Sequence, residues 1–239
     1  SRVFRDVGLV AFHQDPSDPD EIYMLFKSSP YGAWSHIYAD QNSFYIQGFG
    51  EALAIQSGYY PHYGHPHHKS WTWETRAHNS VLVDGEGQKI RDRASRGRIV
   101  EWQFGSGEDG SLDYAAGDAT EAYAGRLDRF VRRVFYRRPD EFLILDDLQA
   151  PKEVRFDWLL HSLEKMEIDP KARVVTVKKG RARMTVEFLE PANLTFSQDN
   201  KFTDSPGEGY PDQWHLTVST AGKSRAAAFV VRMKVWQAK

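Results

Sequence analysis

The sequence contains no cysteine. Disulfides and thiolate metal ligands are therefore excluded, although the compartment is left open, because many exported proteins also lack cysteine. It has no apolar run of about 18 residues, so it carries no transmembrane helix of the usual kind. It has no excess charge of one sign: 31 Lys and Arg stand against 33 Asp and Glu, a formal charge of -2. A nucleic-acid footprint would need a basic surface, and none is expected here. The HExxH, GxSxG, phosphate-loop and dinucleotide patterns are all missing. The amino terminus, SRVFRDVGLVAF, has neither the apolar core nor the small-residue cleavage site of a signal peptide, and reads as a chain starting at a domain boundary.

Helical periodicity is also scarce, the best short candidate being Asp118–Tyr123. What is abundant is β pattern. Alternating or β-rich runs lie at Val7–Phe12, Ile22–Lys27, Ser43–Phe49, Ala52–Ser57, Ser80–Val83, Phe130–Tyr136 and Phe142–Leu145. They continue at Val154–Leu160, Arg173–Lys178, Arg183–Leu189, Trp214–Ser219 and Ala227–Val235. Gly- and Asp-rich turns separate them, and Gly105–Gly117 and Gln198–Gln213 read as long loops. With 41% hydrophobic residues the chain can bury a large core. Many strands joined by short turns predict an all-β fold, a large antiparallel β-sandwich over residues 1–239.

Six of the nine histidines fall between Ser35 and Ser80. In HIYAD, an extended chain would place His36, Tyr38 and Asp40 on one face. In HYGHPHH, His62, His65, His67 and His68 cluster around Pro66, which denies the stretch a helix. Imidazole suits a metal or acid/base chemistry, and a polar loop is an equal reading. His78 and Asn79 precede a strand, with Arg76 nearby. Tyr59, Tyr60, Trp71 and Trp73 lie close in sequence and suit stacking on a sugar ring, or packing. No pair of carboxylates can be picked out for glycoside hydrolysis, since Asp146 and Asp147 are adjacent and face opposite ways on a strand.

The stretch HIYADQNSFYIQGFGEALAIQSGYY, followed by TRAHNSVLVDGEGQ, resembles the C-terminal β-sandwich (supersandwich) of heparinase II/III-like polysaccharide lyases, which include alginate and oligo-alginate lyases. RRVFYRRPDEFLILDDL and FDWLLHS are similar as well, so the likeness runs from Phe4 to about Ser162. The resemblance implies an enzyme in which an α/α toroid precedes the sandwich and the active site lies between them. It implies β-elimination on a uronic-acid-containing polysaccharide: a base removes the proton at carbon 5, an acid protonates the leaving oxygen at carbon 4, and the carboxylate is neutralised.

On that resemblance the family's sandwich histidine falls on His36, the expected catalytic residue. Tyr38, His68, Trp71, Arg76 and Asn79 are expected to bind substrate. The family's zinc positions fall on Tyr38, Gln56 and His78, of which only His78 is a good ligand. The site is then either lost or completed by His65, His67 or His68. The toroid is absent from these residues and is an expected partner, alongside an acidic polysaccharide; neither nucleic acid nor membrane is expected. The chain by itself is expected to be inactive, and its location periplasmic or secreted. Only Lys69 and Arg76 suggest themselves as sulfate ligands, which favours an unsulfated uronate such as alginate. The alternative is a non-catalytic carbohydrate-binding or structural module.

Overall fold

Alternating buried and solvent-facing positions organise the chain into strands. The structure, a computed structural model, describes residues 1–238. The first five strands, β1 (Arg2–Phe4), β2 (Leu9–Phe12), β3 (Tyr23–Lys27), β4 (Ser43–Gly48) and β5 (Glu51–Ala54), form one antiparallel sheet in sequence order. After them come β6 (Val81–Val83), β7 (Arg98–Ser106), β8 (Leu112–Asp118), β9 (Arg129–Arg137), β10 (Glu141–Val154) and β11 (Phe156–Ser162). The last six are β12 (Glu167–Asp169), β13 (Val174–Lys179), β14 (Ala182–Glu190), β15 (Leu194–Asp199), β16 (Trp214–Thr220) and β17 (Ser224–Gln237). An eight-stranded sheet runs β12-β13-β14-β17-β10-β9-β8-β7, and a four-stranded sheet runs β15-β16-β11-β6.

The two smaller sheets share one hydrophobic core with the eight-stranded one. Phe12 of β2 meets Tyr136 of β9, and Trp158 of β11 sits between Phe44 of β4 and Phe188 of β14. The expected antiparallel sandwich is the fold. Strand β10 shows why the pattern was legible: its buried residues alternate from Phe142 to Ala150, one face on the core. In contrast, every residue of β11 is buried, because its outer face is covered too.

The structure differs from the sequence expectation at Gly105–Gly117. This is not a loop but the end of β7, a short turn and β8. Ala115, Ala116 and Gly117 have weak β propensity, yet β8 is bonded on both sides, to β7 and β9. Lateral pairing overrides local preference. Strands β1, β12 and β15 also escape the sequence pattern; two are only three residues long. The Asp118–Tyr123 candidate contains one 3-10 turn, Thr120–Tyr123.

Candidate functional site

Four segments between the strands supply the polar and aromatic residues of the site: residues 28–42, 56–80, 86–97 and 200–213. Contrary to the expectation at Pro66, the second holds a π-helical turn, His68–Thr72, and a 3-10 turn, Thr75–Ala77, because a proline is tolerated at the start of a helical turn. The HIYAD stretch is not a strand, which corrects the expectation that His36, Tyr38 and Asp40 share a face. Ser35 (φ 60°) and Asn42 (φ 56°) are left-handed at its two ends, and Ala39 donates to the carbonyl of Trp73. The three side chains descend instead from the surface inward: His36 is exposed, Tyr38 half-buried and Asp40 buried. The Asp40 carboxylate is held by Lys27 Nζ at 2.7 and 2.8 Å.

Below His36 runs a ladder of rings. His36 lies 4.8 Å from Tyr63, Tyr63 is 5.6 Å from His68, His68 is 6.1 Å from Tyr38, and Tyr38 stacks on His78 at 5.6 Å. Tyr60 and Trp73 close around His68 at 4.7 and 4.8 Å. His68 is therefore buried, not cleft-lining as its sequence position suggested; Tyr60 and Tyr63 are the exposed members. Its Nδ1 accepts the Gly64 N–H at 3.2 Å, so Nε2 carries the proton and has no partner. Burial lowers the pKa of His68, reinforced by His36 and His67 nearby, and it is neutral at pH 7. Burial likewise raises the pKa of the Tyr38 phenol, with Tyr60 and Asp40 adding to the shift.

Trp71 belongs to a second, buried cluster. Its indole N–H donates to Ser57 Oγ at 3.1 Å, and its ring packs on His215 at 4.6 Å and on Phe202 at 5.3 Å. Phe202 also meets Tyr59, His67 and His215. It pins the 200–213 segment against the histidine-rich one, with His67 Nδ1 donating to the Asp204 carbonyl at 2.7 Å. Trp71 thus shapes the site from beneath and presents no face to a ligand.

The structure adds residues that the sequence reading missed. The segment Arg91–Arg96 is tied to residues 32–34 by a two-bond bridge between Ala33 and Asp92, both bonds 3.0 Å. Arg93, Arg96, Trp34, Tyr31 and His36 then line one open cleft of about 610 Å³. The signal in the sequence was the arginine spacing in IRDRASRGR. Nothing local connects it to a histidine some 55 residues away. The ground for preferring an unsulfated uronate, a lack of cations beside His36, is removed.

Comparison with known proteins decides the kinship. The profile of the family described as heparinase II/III-like, C-terminal, matches residues 1–237. The chain belongs to this family. As a heparinase II/III-like domain it superposes on a heparinase III, the BT4657 gene product, with a TM-score of 0.82 at 15% identity, over 99% of this chain and 36% of that one. On the heparan sulfate lyase HepC from Pedobacter heparinus the TM-score is 0.81 at 16% identity, again over 99% of this chain and 36% of that one. At such identities the likeness shows the fold. The domain spans about a third of the length of those proteins. No curated protein matches its sequence.

Two expected ligand-binding residues of this heparinase II/III-like domain lie elsewhere. Asn79 is fully buried and saturated by backbone: its amide donates to the carbonyls of Phe44 (2.8 Å) and Ile55 (2.9 Å), and its Oδ1 accepts the N–H of His161 (2.8 Å). It joins β4 and β5 to β11 and cannot reach a ligand. Arg76 is paired with Glu74 at 2.5 Å and opens on a different depression, lined also by Glu86, Lys89 and Arg126.

The residues at the family's zinc positions do not fit zinc. Tyr38 is a phenol pushed further from ionisation, and Gln56 faces a separate groove with Leu9, Leu25 and Tyr45. His78 donates Nε2–H to the Thr72 carbonyl at 3.0 Å, which leaves its buried Nδ1 unpartnered, but Tyr38 and Gln56 supply no imidazole or carboxylate to join it. Of the substitutes, His67 uses both nitrogens, while His65 Nδ1 accepts the His67 N–H at 3.2 Å and His68 Nδ1 accepts that of Gly64 at 3.2 Å, leaving one nitrogen on each of these two. Among the described residues no three His, Asp or Glu side chains converge as a metal site would need.

The buried imidazoles make stability depend on pH. Burial holds His78 and His215 below the ordinary value and His161 well below it. The unfolded chain takes up protons near pH 6.5 that these folded side chains refuse, so their contribution is fully present above about pH 7 and is lost as pH falls. Each contributes a slope of up to about 1.4 kcal/mol per pH unit. Urea melts at about pH 7.5 and about pH 5.5 are expected to show a clear loss on acidification. Equal or higher stability at the lower pH would contradict the burial of these rings in neutral form.

Proposed function

We propose that this domain forms the sandwich side of an active site that cleaves a uronic-acid-containing polysaccharide by β-elimination, with His36 at the sugar. The observation that carries this is the pairing of His36 with Tyr63 on the open rim, ring centres 4.8 Å apart, beside a cleft that also holds Arg93 and Trp34. An exposed imidazole can donate to the uronate carboxylate, drawing charge from carbon 5 as its proton leaves. A phenol beside it can carry a proton to or from the reacting sugar. The buried His68 and Trp73 fix the tyrosine from below. The family membership and the likeness to a heparan sulfate lyase support this reading.

The catalytic partner groups on the other side of the cleft would come from an upstream α/α toroid, so the 239 residues alone are expected to turn over little substrate. A polymeric substrate also favours action in the periplasm or outside the cell. No described helix is long and apolar enough to cross a membrane.

The test is His36→Ala in the protein with the toroid present, read by the ultraviolet absorbance of the unsaturated uronate product. The expected result is a fall in turnover of about 100-fold or more with the circular dichroism unchanged. Undiminished turnover would overturn the assignment. The second reading, a non-catalytic sugar-binding module, is favoured by the exposure of Tyr31 and Trp34. It would be supported by retained binding with no product from the wild-type protein.

A further inference from the structure

We propose that Arg93 stacked on Trp34, flanked by Arg91 stacked on Trp73, forms a subsite for a second anionic group of the sugar chain, next to the unit held at His36. This rests on the reading that an acidic polysaccharide occupies the cleft. The Arg93 guanidinium carbon lies 5.1 Å from the Trp34 ring centre, and that of Arg91 lies 4.2 Å from the Trp73 ring centre. Neither arginine has a carboxylate partner among the described residues. Asp92 between them turns away, its carboxylate accepting the Ala94 N–H at 2.8 Å and lying 3.9 Å from Lys89 Nζ. Arg96, by contrast, is paired with Glu121. The unpaired Arg93 guanidinium, on an indole face, therefore shares the cleft with the exposed His36, and the unpaired Arg91 lies two residues away on the same segment.

The backbone holds them there. Gly32 adopts φ +72°, and a Cβ on it would lie 2.4 Å from the Arg93 carbonyl oxygen. Gly97 donates to the Ser29 carbonyl at 2.8 Å, and a Cβ there would lie 2.4 Å from Ser28 Oγ. The arginine segment is thus clamped at both ends to the segment that carries Trp34 and His36. Two non-glycine residues of these segments, Ser35 (φ 60°) and Arg91 (φ 54°), sit in the left-handed region. Such conformations cost energy, persist only where packing imposes them, and gather at binding sites.

The chemistry fits an anion on a sugar. Stacking occupies the flat face of a guanidinium and leaves its edge N–H groups free for two parallel bonds to a carboxylate or sulfate. The indole of Trp34 is 47% exposed, which leaves apolar area for a sugar ring. Carboxylate and sulfate share this chemistry, and the experiment separates them.

The test is binding to the intact protein bearing this domain, by titration calorimetry, of two size-matched oligosaccharides: a sulfated heparan-type chain and a polyuronate with carboxylates only. Arg93→Gln and Trp34→Ala are each expected to weaken binding by about tenfold or more, and Arg93→Lys, which keeps the charge but not the planar fork, to weaken it less. A larger loss on the sulfated chain identifies sulfate as the second group, and an equal loss on both identifies carboxylate. Unchanged affinity of the folded Arg93→Gln protein for both chains overturns the subsite, as does failure of the wild-type protein to bind either. Turnover separates this from the lyase reading. Product formation with a KM unaltered by Arg93→Gln sinks the subsite alone. Arg93-dependent binding without any unsaturated product sinks the lyase reading alone.

Discussion

Asp146→Ala is expected to destabilise the domain by about 3–5 kcal/mol, enough to leave it largely unfolded at moderate temperature. Asp146 and Arg132 are cross-strand neighbours on β10 and β9, and both side chains are fully buried. Arg132 Nε and Nη2 donate to the two carboxylate oxygens at 2.6 and 2.7 Å, while Nη1 donates to the carbonyls of Asn42 (2.6 Å) and Asn79 (2.7 Å). Asp146 also accepts the indole N–H of Trp158 at 3.1 Å. The rings of Phe44, Phe130 and Trp158 surround the guanidinium at 5.4–5.9 Å. Removing the carboxylate leaves an uncompensated cation where water cannot reach it. The pair also ties the eight-stranded sheet to both smaller sheets, just where the site segments depart. Arg132→Met combined with Asp146→Leu is expected to be less damaging than Asp146→Ala alone, because it removes both charges together. Urea unfolding of the three proteins checks this; an Asp146→Ala protein as stable as wild type would refute the account.

Asn79→Ala is expected to cost about 3 kcal/mol, since it strands two buried carbonyls and one buried N–H, each expensive to leave unpaired. Asn79→Asp keeps the shape but has no amide donors, and at neutral pH it sets a carboxylate against the carbonyls of Phe44 and Ile55. It is expected to be at least as damaging as alanine. Thermal melts decide. If Asn79→Ala leaves the melting temperature untouched and weakens only sugar binding, the side chain faces substrate after all. The result also bears on the whole site, because Asn79 fixes the segment between His78 and β6.

The sequence by itself determined the antiparallel sandwich and the kinship. Strands such as β10 and β14 bury alternate residues on one core face, and that periodicity is local. The opposite orientation of Asp146 and Asp147 followed from the same rule: one is buried against Arg132, the other partly exposed against Arg129. Strand β8 was illegible because Ala and Gly carry little β preference, and only its two neighbours make it a strand. The site was the least legible part. That His36 is exposed while His68, His78 and Asn79 are buried depends on long-range packing of the segments between strands, whose helical turns are too short to leave a period to read. The arginines beside His36 became visible only through the Ala33–Asp92 bridge. A sheet's pattern is written along each strand, whereas the environment of a loop residue is set by whichever distant segment packs on it, and only the tertiary structure decides that.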